Sequence, residues 1–134
     1  GYTNILALVP GVDAELTREV LVIGGHYDHV GLGTPQNSYG PFGRIHNGAD
    51  DNASGIAVLL ELAQFLAQQP HKRTILFACW DAEETGLLGS QHWVRHPTVE
   101  LPRVKLALNL DMIGRLRNQE VTTMGWRSAA GLRP

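Results

Sequence analysis

Cysteine occurs once in these 134 residues, as Cys79. A single thiol cannot close an intramolecular disulfide, so no covalent framework holds this chain. Its place inside the apolar run 75–80 suits a buried, unreactive thiol, and one cysteine does not fix the compartment. Basic residues are no more common than acidic ones: 11 Lys and Arg stand against 13 Asp and Glu, for a net charge of −2. No basic cluster appears, which argues against nucleic acid as a partner. No apolar stretch approaches the roughly 20 residues needed to span a bilayer. Internal repeats and low-complexity segments are also missing. The first residue is Gly1, already within a strand-like pattern, and "GWRSAAGLRP" at the other end brings no closing element. The chain is therefore expected to be one domain, 1–134, and a piece of a longer protein whose leader sequence cannot be judged.

With 43% hydrophobic and 18% charged residues, the chain can build an ordinary core. The segment 3–9 reads as a strand ended by Pro10 and Gly11, and 19–25 as a second strand rich in Val and Ile. A long loop at about 30–48 follows, rich in Gly, Pro, Asn and Ser; loops of this length tend to be functional. In 54–68, Ile56, Leu59, Leu60, Ala63, Leu66 and Ala67 recur at helical spacing. Strands are expected at 73–80 and 104–110, a helix at about 86–95, and a weaker strand near 120–124. Two hairpin-like strands followed by alternating helices and strands predict an α/β sheet covered on both faces.

Against that frame the acids stand out. "ILFACWDAEETG" runs from an apolar strand straight into Asp81, Glu83 and Glu84. Two like charges about 4 Å apart repel by roughly 4 kcal/mol near a protein surface, so such a cluster calls for a cation. Three further segments deliver polar groups to strand ends or helix starts, where open α/β sheets bind ligands. In "GGHYDHVG", His26 and Asp28 share one side of an extended backbone, and a carboxylate behind an imidazole is a common metal-ligand arrangement. His29 reads as a wall or surface residue. In "NGADDNASG", Asp50 and Asp51 precede the helix; one can cap it while the other binds a metal. In "LNLDMIG", Asp111 ends an apolar strand and needs a partner. Of Glu83 and Glu84, one can coordinate while the other handles a proton, and Asp81 suits local turn contacts. One imidazole with several carboxylates suits zinc, with manganese or cobalt as substitutes, and the surplus of acids suggests two ions sharing one of them.

These four segments, in this order, resemble the zinc-dependent aminopeptidases of the M28 type, which carry a co-catalytic metal pair. The likeness covers residues 19–114. It implies a three-layer α/β/α sandwich with a mixed, mainly parallel sheet, truncated at its C-terminus. It also implies hydrolysis that releases N-terminal residues from peptides with a free N-terminus. Carried over residue by residue, it makes His26 and Asp111 ligands of one zinc, Asp28 the carboxylate behind His26, and Asp51 the bridge between the ions. Glu84 becomes a ligand of the second zinc and Glu83 the general base. Asp50 has no assigned role beyond a possible cap. The family takes a further histidine for the second zinc from a downstream motif, but no histidine follows Asp111, and His46, His71, His92 and His96 lie outside the matching motifs. The chain by itself is thus expected to hold metal incompletely and to show little activity. Two other readings compete: a glutaminyl-cyclase-like zinc acyltransferase, and a non-catalytic binding domain on the same scaffold. Export from the cell is expected from the resemblance alone, and the oligomeric state is not legible.

Overall fold

The computed structural model describes residues 1–116, 118–120, 122–125 and 127–128. The Val- and Ile-rich run forms strand β2 (Val20–His26), and the apolar run before the acids forms β3 (Thr74–Trp80). The two pair in parallel, with Val20 opposite Thr74 and His26 opposite Trp80. β4 (Val104–Asn109) lies parallel on the other side of β2, and β1 (Ile5–Val9) runs antiparallel to β3. The order is β1-β3-β2-β4, a mixed and mainly parallel sheet. Parallel neighbours need long crossovers. Helix α1 (Gly55–Ala67) lies in the connection from β2 to β3, and α2 (Leu88–Arg95) in that from β3 to β4.

The hairpin-like pairing expected of the first two strands does not form, because β3 lies between them. Their connection is not a tight turn. It contains a 3-10 turn (Leu16–Arg18), and the Asp13 carboxylate accepts the amides of Glu15 and Leu16 at 3.0 and 2.9 Å. The strand expected near 120–124 falls partly outside the described residues.

Side chains alternate across each strand, so the core splits into two clusters. Ile75 and Phe77 pack with Leu59 of α1, while Val20, Val22 and Leu76 pack with Trp93 of α2. Trp93 also meets Trp80 at a ring distance of 5.7 Å. The apolar face of α1 is rotated from the one expected: Leu62, Ala63 and Leu66 join Leu59 against the sheet, whereas Leu60 is exposed. The buried stripe thus follows positions i, i+3, i+4 and i+7 from Leu59, the spacing of one helix face. Among the described residues, no helix is long and apolar enough to cross a membrane.

This topology positions the site. β2, β3 and β4 point the same way and end side by side at His26, Trp80 and Asn109. Whatever follows each strand emerges at one rim of the sheet.

Candidate metal centre

His26 closes β2 and is 2% exposed. Its Nδ1 sits 3.1 Å from the Asp28 carbonyl oxygen, an acceptor only, so Nδ1 carries the hydrogen. Nε2 then points at three carboxylates: Asp51 Oδ1 at 3.1 Å, Asp111 Oδ1 at 3.6 Å and Glu83 Oε2 at 3.9 Å. A lone pair aimed at anionic oxygens is repulsive unless a proton or a cation sits between them. Two donors on one tetrahedral zinc, each bonded at about 2.0–2.1 Å, are roughly 3.3 Å apart. The separations from Nε2 to Asp51 and Asp111 bracket that spacing. Asp51 Oδ1, moreover, is shut off from solvent and has no hydrogen-bond partner among the described residues. A buried carboxylate oxygen left without a partner is costly, and a metal ion is one of the few groups that satisfies it. The donor set therefore fits a zinc ion.

The same charges show in the titration of the site. Burial of the His26 ring opposes its charged form and is the largest single influence. Glu83, Asp111, the Asp28 carbonyl and Asp51 together outweigh it and hold the pKa above that of a free histidine. Glu83 is raised above the usual carboxylate range, chiefly by burial; Glu84, Asp111 and Asp28 add to the rise and His26 opposes it. A carboxylate raised in this way is a better proton acceptor than an exposed one.

A second group of donors includes Asp51 as well. Donor atoms of His29, Asp51 and Glu84 all fall within 4.8 Å of one another, as do those of His26, Asp51 and Asp111. Asp51 belongs to both groups. The second group opens into a cavity of about 620 Å³, also lined by Gln36, Tyr39 and His46 of the long loop.

Local structure explains how these side chains arrive together. Asp28 holds the backbone of the acidic turn: its two carboxylate oxygens accept the amides of Glu83 at 2.9 Å and Glu84 at 3.2 Å. Its carboxylate is 3.7 Å from His26 Nδ1, farther than its own carbonyl oxygen. Asn52, 2% exposed, joins three elements. Its amide group donates to the carbonyls of His26 and Leu110 at 3.3 and 2.9 Å, and its oxygen accepts the amides of Gly55 and Met112, both at 3.2 Å. The peptide bond between Asp51 and Asn52 is cis. Gly55 leaves no room for a side chain, because a Cβ there would stand 2.4 Å from both Asn52 Oδ1 and the Leu110 oxygen.

Asp50 and Asp81 stand apart from the cluster. The side chain of Asp50 makes no helix cap. It accepts the Gly114 amide at 2.9 Å and pairs with Arg115 at 3.1 Å, fixing the loop that follows Asp111. Asp81 accepts the amides of Thr3 and Ala82 at 2.7 and 2.8 Å, local turn contacts that also anchor the entry to β1. Sequence reasoning assigned no role to Asn52 or to the contact of His29 with Glu84. An asparagine before a helix reads as an ordinary cap, and the only available signal was its place beside two acids.

The chain belongs to peptidase family M28, whose family model matches residues 4–133. It is 40% identical over 97 residues to Aminopeptidase YwaD of Bacillus subtilis, which covers 72% of this chain and 18% of that protein. It is 37% identical over 111 residues to a probable leucine aminopeptidase 2 of Aspergillus oryzae, covering 82% of this chain and 19% of the other. Among solved structures it resembles BSAP, a zinc aminopeptidase from Bacillus subtilis, with a TM-score of 0.65 and 35% identity, over 83% of this chain and 24% of that one. The chain thus spans about a quarter or less of the length of these relatives.

Proposed function

We propose that the protein to which this chain belongs is a zinc aminopeptidase that hydrolyses the first peptide bond of substrates with a free N-terminus. The observation that carries this reading is the convergence of His26 Nε2, Asp51 and Asp111 at ligand spacing, with Asp51 Oδ1 buried and without a hydrogen-bond partner among the described residues. His26, Asp51 and Asp111 would hold one zinc, and Asp51 and Glu84 would contribute to a second. A divalent ion bound there supplies a water of lowered pKa and a Lewis acid for the scissile carbonyl. The chain's own residues do the rest. His26 is kept in its Nδ1–H form by the Asp28 carbonyl, so Nε2 is free to ligate. Asp28 fixes the turn that aims Glu83 and Glu84. Glu83, held among acids and partly buried, takes a proton from the attacking water and returns it to the leaving amine. The remaining negative charge at the rim attracts the protonated α-amino group of the substrate, which selects for an N-terminus. The full catalytic domain closes as a three-layer sandwich around this rim, and export is carried over on the resemblance alone.

The names of the relatives support this activity class, since those compared above are aminopeptidases. A pair of aminoacyl substrates, one free and one N-acetylated, tests the selection. The full-length protein is expected to cleave the free amine and to slow on the acetylated twin by a factor on the order of 10² or more, because the acetyl group removes the charge that the acids recognise. Equal kcat/KM for the two would remove the exopeptidase reading.

A further inference from the structure

His29 lies in the same motif as His26 and Asp28, and its ring reaches Glu84 of the acidic turn. Its Nδ1 lies 2.6 Å from Glu84 Oε1. Both side chains are about four-fifths buried. Two roles are open to an imidazole there. It can donate a nitrogen to the second cation, or it can hold the carboxylate that does so. The distance decides between them. Two donors sharing one tetrahedral zinc stay about 3.3 Å apart, because each is held at about 2.0–2.1 Å from the ion. A separation of 2.6 Å is too short for that and matches a charge-assisted hydrogen bond. The contrast with His26 is internal to the site, since Nε2 there keeps 3.1 and 3.6 Å from its carboxylates.

We propose that His29 is a positioning residue for the second metal position. Its Nδ1–H holds Oε1 of Glu84 and leaves the other carboxylate oxygen for the cation. Asp28 and His29 then work as a pair: Asp28 fixes the backbone of Glu84 through its amide, and His29 fixes the side chain. Gly48 makes room for the ring, because a Cβ there would stand 2.9 Å from His29 Cγ. This inference rests on the two-ion reading above and adds a residue to which that reading gives no part.

The test uses the full-length protein, stripped with chelator and titrated with zinc by calorimetry. His29→Asn places an amide N–H where Nδ1–H stands but offers no imidazole to a metal; His29→Gln places its amide nearer the Nε2 position. The wild type is expected to bind two ions. His29→Ala and His29→Gln are expected to keep the first affinity and to lose about 10–100-fold in the second, the usual cost of removing a partner of a metal ligand. His29→Asn is expected to recover most of that loss. Unchanged second-site affinity in His29→Ala overturns the proposal. So does a His29→Asn variant as weak as His29→Ala, which makes the ring itself a ligand. Retained first-site affinity shows that each variant is folded, and a wild type that binds fewer than two ions defeats the two-ion reading instead.

Discussion

The full-length protein carrying Glu83→Gln is expected to keep its zinc and its fold while losing hydrolysis by a factor on the order of 10²–10⁴, the range supplied by a positioned general base. The substitution is nearly isosteric. Glutamine preserves the backbone contact of residue 83 with Asp28 and cannot accept the proton of an attacking water. Glu83 suits the base role better than Glu84 for two reasons. Its carboxyl is raised above the usual range, whereas Glu84 is engaged by His29 at 2.6 Å. Glu83 Oε2 also stands 3.9 Å from His26 Nε2, farther than the two oxygens assigned as ligands. Steady-state kinetics with metal analysis on the same samples checks this. A variant that remains active removes the base role, and one that loses zinc in step with activity makes Glu83 a ligand.

The second large effect concerns Asn52. Asn52→Leu is expected to lower the unfolding free energy by about 2–5 kcal/mol, since each polar group left buried without a partner costs about 1–3 kcal/mol. The substitution removes all four bonds of that side chain, from the carbonyls of His26 and Leu110 to the amides of Gly55 and Met112. It therefore loosens the ends of β2 and β4 and the start of α1 together, the three places that carry His26, Asp111 and Asp51. Zinc affinity is expected to fall along with stability. Urea unfolding of the metal-free protein measures the first effect separately from the second. A loss below about 1 kcal/mol would show that water takes over those bonds and that Asn52 is an ordinary loop residue.

Much of this was legible in the chain itself. β2, β3, α1 and α2 lie within a residue or two of where apolar period, Pro70 and Pro97 place them, because each segment obeys one strong local signal. That the four polar segments meet at one rim follows from the parallel sheet, and the structure brings carboxylate oxygens of Asp51, Glu83 and Asp111 within 4 Å of Nε2 of His26. What escaped was tertiary. Nothing local says that β1 prefers β3 over β2, since edge pairing depends on which strand the crossovers leave exposed. The phase of α1 differs from the expected one at Leu60 because Leu60 and Leu62 are equally apolar, and only the sheet decides which one it covers. Asp50 and Asp51 are adjacent and identical in chemistry. Their separate fates depend on Gly114 and Arg115, which come from the far side of β4. His29 and Asn52 bond to partners 55 and 58 residues away, beyond the reach of any motif spacing.

The central claim is that the crowded carboxylates at the sheet rim are held together by divalent cations. Diffraction from crystals of the full-length protein, recorded on both sides of the zinc absorption edge, tests it directly. Two anomalous peaks are expected, one enclosed by His26 Nε2, Asp51 and Asp111 and the other reached by Asp51 and Glu84. Zinc-saturated crystals with no peak beside Asp51, or with zinc held only by residues elsewhere, would contradict the account.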